Sequence, residues 1–125
     1  MSAAKERPLT SDEAIILLKM LAVSSFYSKY SNSISNLRVV TANDGGMGSL
    51  IFIENGKTRR TFGQMISQQQ FHDADGVLVL ISLHVDDSEK LLSMDFWKVD
   101  FSRLNRYPMP EQLESADIIT VPPRH

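Results

Sequence analysis

Val77-Leu78-Val79-Leu80-Ile81-Ser82-Leu83-His84-Val85 decides the fold. Alternation puts Val77, Val79, Ile81, Leu83 and Val85 on one face, with Ser82 and His84 on the other, which predicts a strand buried on one side. The polar run Asp86-Asp87-Ser88-Glu89-Lys90 then turns the chain into a second strand, Leu91–Asp100. Upstream, Asp73-Ala74-Asp75-Gly76 is another turn signal. It favours a strand over Thr58–Phe71, bulged at Gly63, although the glutamines and Met65 would also suit a helix.

Working outward, the hairpin signals repeat. Asn55-Gly56 tolerates positive φ at both positions and follows a short strand, Ser49–Ile53. Before that strand lies the turn Asn43-Asp44-Gly45-Gly46-Met47-Gly48, and before the turn the strand Leu37–Ala42. Phe26–Asn36 has no sustained period and reads as a loop. Thr10-Ser11-Asp12-Glu13 has the form of a capping box, opening a helix that runs through Ala14–Val23.

Residues 1–8 read as a flexible leader, 9–108 as one domain, and 109–125 as a tail with a helical turn near Glu111–Ala116. Short turns between successive strands imply antiparallel pairing. The predicted fold is therefore α+β, an N-terminal helix packed on a roughly five-stranded antiparallel meander.

Composition narrows the function classes. The 125 residues suit a single core, with 42% hydrophobic and 22% charged residues as in ordinary globular domains. A net charge of −2 provides no electrostatic footprint for nucleic acid. No cysteine is present, which excludes disulfides, thiolate metal sites and cysteine nucleophiles. The N-terminus lacks an apolar signal segment and no apolar run approaches a membrane span, so a cytoplasmic location without membrane association is expected.

No catalytic set emerges. Asp44-Gly45-Gly46-Met47-Gly48-Ser49 is followed by strand-forming residues, not by the lysine and helix of a phosphate cradle. Asp73-x-Asp75-Gly76 lacks the later ligands of a calcium loop. His72, His84 and His125 have no metal-ligand spacing, and no serine elbow occurs. No cofactor, no metal and no enzymatic activity are expected.

In a meander, Asp44, Asp73 and Asp75 fall at one end of the sheet, with Asp86, Asp87 and Glu89 at the other. The nine residues Val77–Val85 separate these ends by roughly 30 Å at about 3.3 Å per residue. Either acidic corner is a candidate contact for a basic partner. Phe96 and Trp97 point to opposite faces of their strand, so one joins the core. Trp97 is then a candidate interface anchor.

Arg7-Pro8-Leu9-Thr10, Asp44-Gly45-Gly46-Met47-Gly48-Ser49 and Trp97-Lys98-Val99-Asp100-Phe101-Ser102, together with Phe62-Gly63 and Asp73-x-Asp75-Gly76-Val77, resemble a family of small bacterial domains of unknown function. The likeness covers about residues 7–108, departing at Arg103, where proline is expected. Proteins of this size and pattern resemble the immunity proteins of bacterial toxin systems. That resemblance implies a protein that occludes a cognate toxin domain, with a nuclease as the candidate activity. The rival expectations are a small adaptor or homodimer, and a metal-dependent enzyme centred on Asp44, Asp73, Asp75 and His72.

Overall fold

A computed structural model describes residues 5–116. Among them, strands β1 (Arg7–Pro8), β2 (Arg38–Thr41), β3 (Leu50–Phe52), β4 (Phe62–His72), β5 (Leu78–Asp86), β6 (Leu91–Lys98) and β7 (Glu114–Ser115) form one sheet. Helix α1 spans Ser11–Ala22 and a short helix α2 spans Tyr27–Tyr30. The sheet order is β1-β2-β3-β6-β5-β4-β7, with every neighbouring pair antiparallel.

The capping box is formed. The Thr10 hydroxyl accepts from the Glu13 amide at 3.1 Å, and the Glu13 carboxylate accepts from the Thr10 amide at 2.9 Å. Glu13, Ile16, Leu17, Met20 and Leu21 form one buried stripe on α1. The apolar members of that stripe share a core cluster with Val39, Leu50, Phe52, Phe71, Val79, Ile81, Leu83, Val85, Met94 and Phe96. The alternation read in Val77–Val85 therefore locates the core face of the sheet.

The sheet has seven strands, not five, because both flanking segments contribute. Arg7 and Pro8, assigned from sequence to the leader, pair with Val39 and Arg38. Pro8 lacks an amide hydrogen and suits this edge position. The Arg7 guanidinium also grips both carboxylate oxygens of Glu13, at 2.7 and 2.9 Å, and the Thr41 hydroxyl at 3.0 Å. At the other edge, the expected helical turn is a 3-10 turn at Pro110–Gln112, leading into β7. The segment 26–36, expected as loop, includes α2 and a 3-10 turn at Ile34–Asn36.

The meander is also corrected. β3 pairs with β6, while β4 lies beyond β5. The Asn55-Gly56 turn forms, with both residues at positive φ and Glu54 bridged to Lys57. The chain then crosses the end of the sheet instead of pairing back on β3. Composition accords with the outcome: β6 is the central strand of the seven, where apolar residues find most cover. Leu91–Lys98 supplies them, whereas the glutamine-rich β4 suits a position near the edge.

Arg60 secures the crossing. Its guanidinium bonds the Asp86 carboxylate at 2.6 Å and the Phe52 and Leu91 carbonyls at 2.8 and 2.6 Å. It thereby joins β3 and β6 beyond their last register pair, Ile51 with Ser93. The predicted bulge is present: register shifts between Phe62 and Gln64, leaving Gly63 as the extra residue.

Candidate functional site

The two acidic corners do lie at opposite ends of the sheet, but most of their carboxylates serve the fold. At the first corner, Lys98 extends its ammonium beneath the β4–β5 turn. It donates to Asp73 at 2.9 Å, to Asp75 at 2.6 Å and to the Arg103 carbonyl at 3.0 Å. These three acceptors match the three N–H groups of the ammonium. Lys98 is 0% exposed.

Asp73 accepts in addition from the amides of Ala74, Asn105 and Arg106. Burial pushes its carboxyl up, but the Asn105 amide, the Lys98 ammonium and the Ala74 amide together hold it below the usual carboxylate range. For Lys98 the sign is reversed: burial pushes the ammonium down, and hydrogen bonds to Asp75 and Asp73 raise it above the ordinary lysine value. Asp44 accepts from the Met47 and Ser49 amides of its own turn. The Leu104 amide reaches the Gly46 carbonyl at 3.0 Å, so segment 103–106 ties the two turns of this end together.

At the opposite corner, Asp86 is buried and accepts from Arg60 and from the Ser88 and Lys90 amides. Burial raises its carboxyl, and these donors outweigh that effect and lower it. Asp87 and Glu89 are exposed. They border shallow, open clefts beside Gly63 and Gln64, one of which extends to Phe26, Lys29 and Met65. Neither cleft encloses a small molecule in the manner of a ligand pocket. Among the described residues no group of three or more His, Asp or Glu side chains is placed to hold a metal ion.

The other distinctive surface is the sheet face opposite α1. Phe96 enters the core and Trp97 takes this second face, half-buried, level with Leu80 of β5. Beside it runs a polar band. His84 Nδ1 lies 3.2 Å from the Asp95 carboxylate and 3.2 Å from the Ser93 hydroxyl. Gln68 donates to the Ser82 hydroxyl at 3.1 Å. Ser93 and Asp95 meet the same imidazole nitrogen, so this is no nucleophile–base–orienter relay, which needs the two ring nitrogens on different partners.

α1 and Tyr30 of α2 place their buried apolar side chains in the core cluster on the opposite side. Among the described residues, neither helix covers the Trp97 face. The Trp97 ring meets Phe101 edge-on, with centroids 6.0 Å apart.

Of the residues singled out from sequence, the structure joins Asp73 and Asp75 through Lys98, and keeps Asp86, Asp87 and Glu89 together at the other end. It places Trp97 apart from both groups, on the face. Sequence reasoning passed over Arg60 and Asp95, and gave Lys98 and Phe101, both noticed in a motif, no role at the site. Asp95 was detectable, because alternation puts it on the same face as Trp97. The buried ends of Lys98 and Arg60 had no such signal, since isolated basic residues ordinarily read as surface.

These features define a small α+β protein built on one seven-stranded antiparallel sheet. The chain belongs to the family described as Domain of unknown function (DUF6984), whose profile matches residues 6–108. No curated protein and no solved structure matches the chain. Among the described residues no helix is long and apolar enough to cross a membrane.

Proposed function

We propose that this chain is a non-catalytic, cytoplasmic binding protein of the immunity type, occluding a cognate toxin domain with a nuclease as the candidate activity. The observation that carries the binding reading is the second sheet face, where half-buried Trp97 meets the 66% exposed Phe101. An exposed aromatic ring beside a half-buried tryptophan is characteristic of protein interfaces. The resemblance of the whole pattern to immunity proteins supplies the class of partner. Asp87 and Glu89 offer a second, acidic contact of the kind that speeds encounter with a basic protein.

Co-expression with the product of the adjacent toxin gene tests the proposal. Rescue of growth and a co-purifying complex are expected; neither rescue nor complex would sink it. A homodimer through the same face is the second reading. It is favoured over edge pairing because both outer strands are only 2 residues long and β1 contains a proline. Light scattering on the purified chain separates a monomer from that dimer.

A further inference from the structure

The Trp97 face carries a feature more specific than apolarity. Phe101 adopts φ 64, a backbone that bulky side chains rarely occupy. The local turn holds it there: the Phe101 amide donates to the Lys98 carbonyl at 2.8 Å. The Asp100 carboxylate accepts from the Ser102 amide and hydroxyl at 3.0 and 2.6 Å. Lys98, at the base of the turn, is locked by Asp73 and Asp75. The ring of Phe101 is thus presented on a braced support against Trp97.

Asp95 lies two positions before Trp97 on β6, hence on the same face with its Cα about 6.6 Å away. Its side chain is 20% exposed, and its carboxylate lies 3.2 Å from His84 Nδ1. The cations found over aromatic rings among the described residues are Lys29 on Phe26 and Lys29 on Tyr30, and none of the described cations lies over Trp97 or Phe101.

We propose that Trp97, Phe101 and Asp95 form a receptor for an arginine or lysine side chain projecting from a protein partner. Two aromatic rings supply the negative π-faces that attract a cation, and the neighbouring carboxylate supplies the counter-charge. Arginine fits best, since its planar guanidinium stacks on a ring while its N–H fork reaches a carboxylate. An aliphatic plug fits poorly, because it would cover Asp95 without a new partner. A second copy of this face fits poorly too, because a two-fold contact centred here brings the two Asp95 carboxylates together. The proposal rests on the binding reading above, but not on the partner being a toxin.

Trp97 is the single tryptophan of the chain, so its fluorescence reports this site alone. The full chain is titrated at low salt and neutral pH with acetyl-triarginine amide, and with acetyl-triglutamate amide as control. A saturable emission change is expected with the arginine peptide only. Its midpoint should rise about fivefold in Asp95→Asn, the scale of one exposed charge contact. It should be lost in Phe101→Leu, which keeps the apolar bulk without the π-face, and retained in Phe101→Tyr and in Asp87→Asn at the far end.

No saturable change, an equal response to the glutamate peptide, or an unaltered response in both Asp95→Asn and Phe101→Leu overturns the proposal. Growth rescue by a chain whose Trp97 is silent to arginine overturns this receptor and leaves the toxin-binding reading standing. Arginine binding without rescue supports the receptor and overturns the toxin as partner.

Discussion

Lys98 shows how a single buried charge organises one end of this protein. Its ammonium is out of water, fully matched by acceptors, and connects β6 to the β4–β5 turn and to segment 103–106. Removing one partner of such a cluster is worse than removing the cluster, because the remaining charge stays buried without compensation. Lys98→Met should therefore lower the melting temperature at pH 7. The deficit relative to the parent should shrink at pH 3, where Asp73 can take up a proton and shed its unpaired charge. Thermal melts of both proteins at the two pH values check this; an equal deficit at both would show that Asp73 does not carry the effect.

Gly63 governs the entry of the longest strand. A Cβ at this position would overlap the Asp86 carbonyl, so the bulge admits only glycine without movement of β5. Gly63→Ala should destabilise the chain by about 1–3 kcal/mol, in the range of other forced overpacking. Urea unfolding followed by fluorescence should show a lower midpoint with an unchanged slope.

At this scale much of the fold was legible. The helix was written in Thr10 and Glu13, the strands in the alternation of Val77–Val85, and the bulge in a glycine interrupting a strand pattern. Pairing order was not, because Asn55-Gly56 signals only a reversal and says nothing about which strand follows it in space. The polar composition of Gln64–Gln70 against the apolar Leu91–Phe96 did hold that information, in favour of the second run as the enclosed strand. The candidate site was half legible: Trp97 stood out, while the braced conformation of Phe101 depends on Asp100, Ser102 and a buried Lys98 that periodicity does not reveal.

For the molecule as a whole, the ionised groups set the pH limits of stability. Asp73, Asp75, Asp86 and Glu13 all titrate below their ordinary values in the fold. A carboxyl with a lowered folded value adds stability that is complete above its unfolded value and lost as pH falls through the folded one. Lys98 is raised, so its contribution is complete below the ordinary lysine value and lost only as pH climbs through the raised one. Urea midpoints should therefore form a plateau from about pH 5 to about pH 10 and drop below about pH 4. Asp73→Asn should flatten part of the acid limb; an unchanged acid limb would move the responsibility to the other carboxylates.

The seam between β3 and β6 divides the sheet unequally. Strands β4, β5 and β6 follow one another through short turns, whereas β3 meets β6 through the register pairs Leu50–Met94 and Ile51–Ser93 across a long intervening chain. Local pairings close cheaply and distant ones late. Refolding should therefore begin in the 62–98 unit, with the amino-terminal half docking afterwards. In stopped-flow experiments Val79→Ala should chiefly slow refolding, and Leu50→Ala should chiefly speed unfolding. A newly made chain would then meet its nucleus only after the last of its long strands has emerged, with helix α1 waiting until then for a surface to cover.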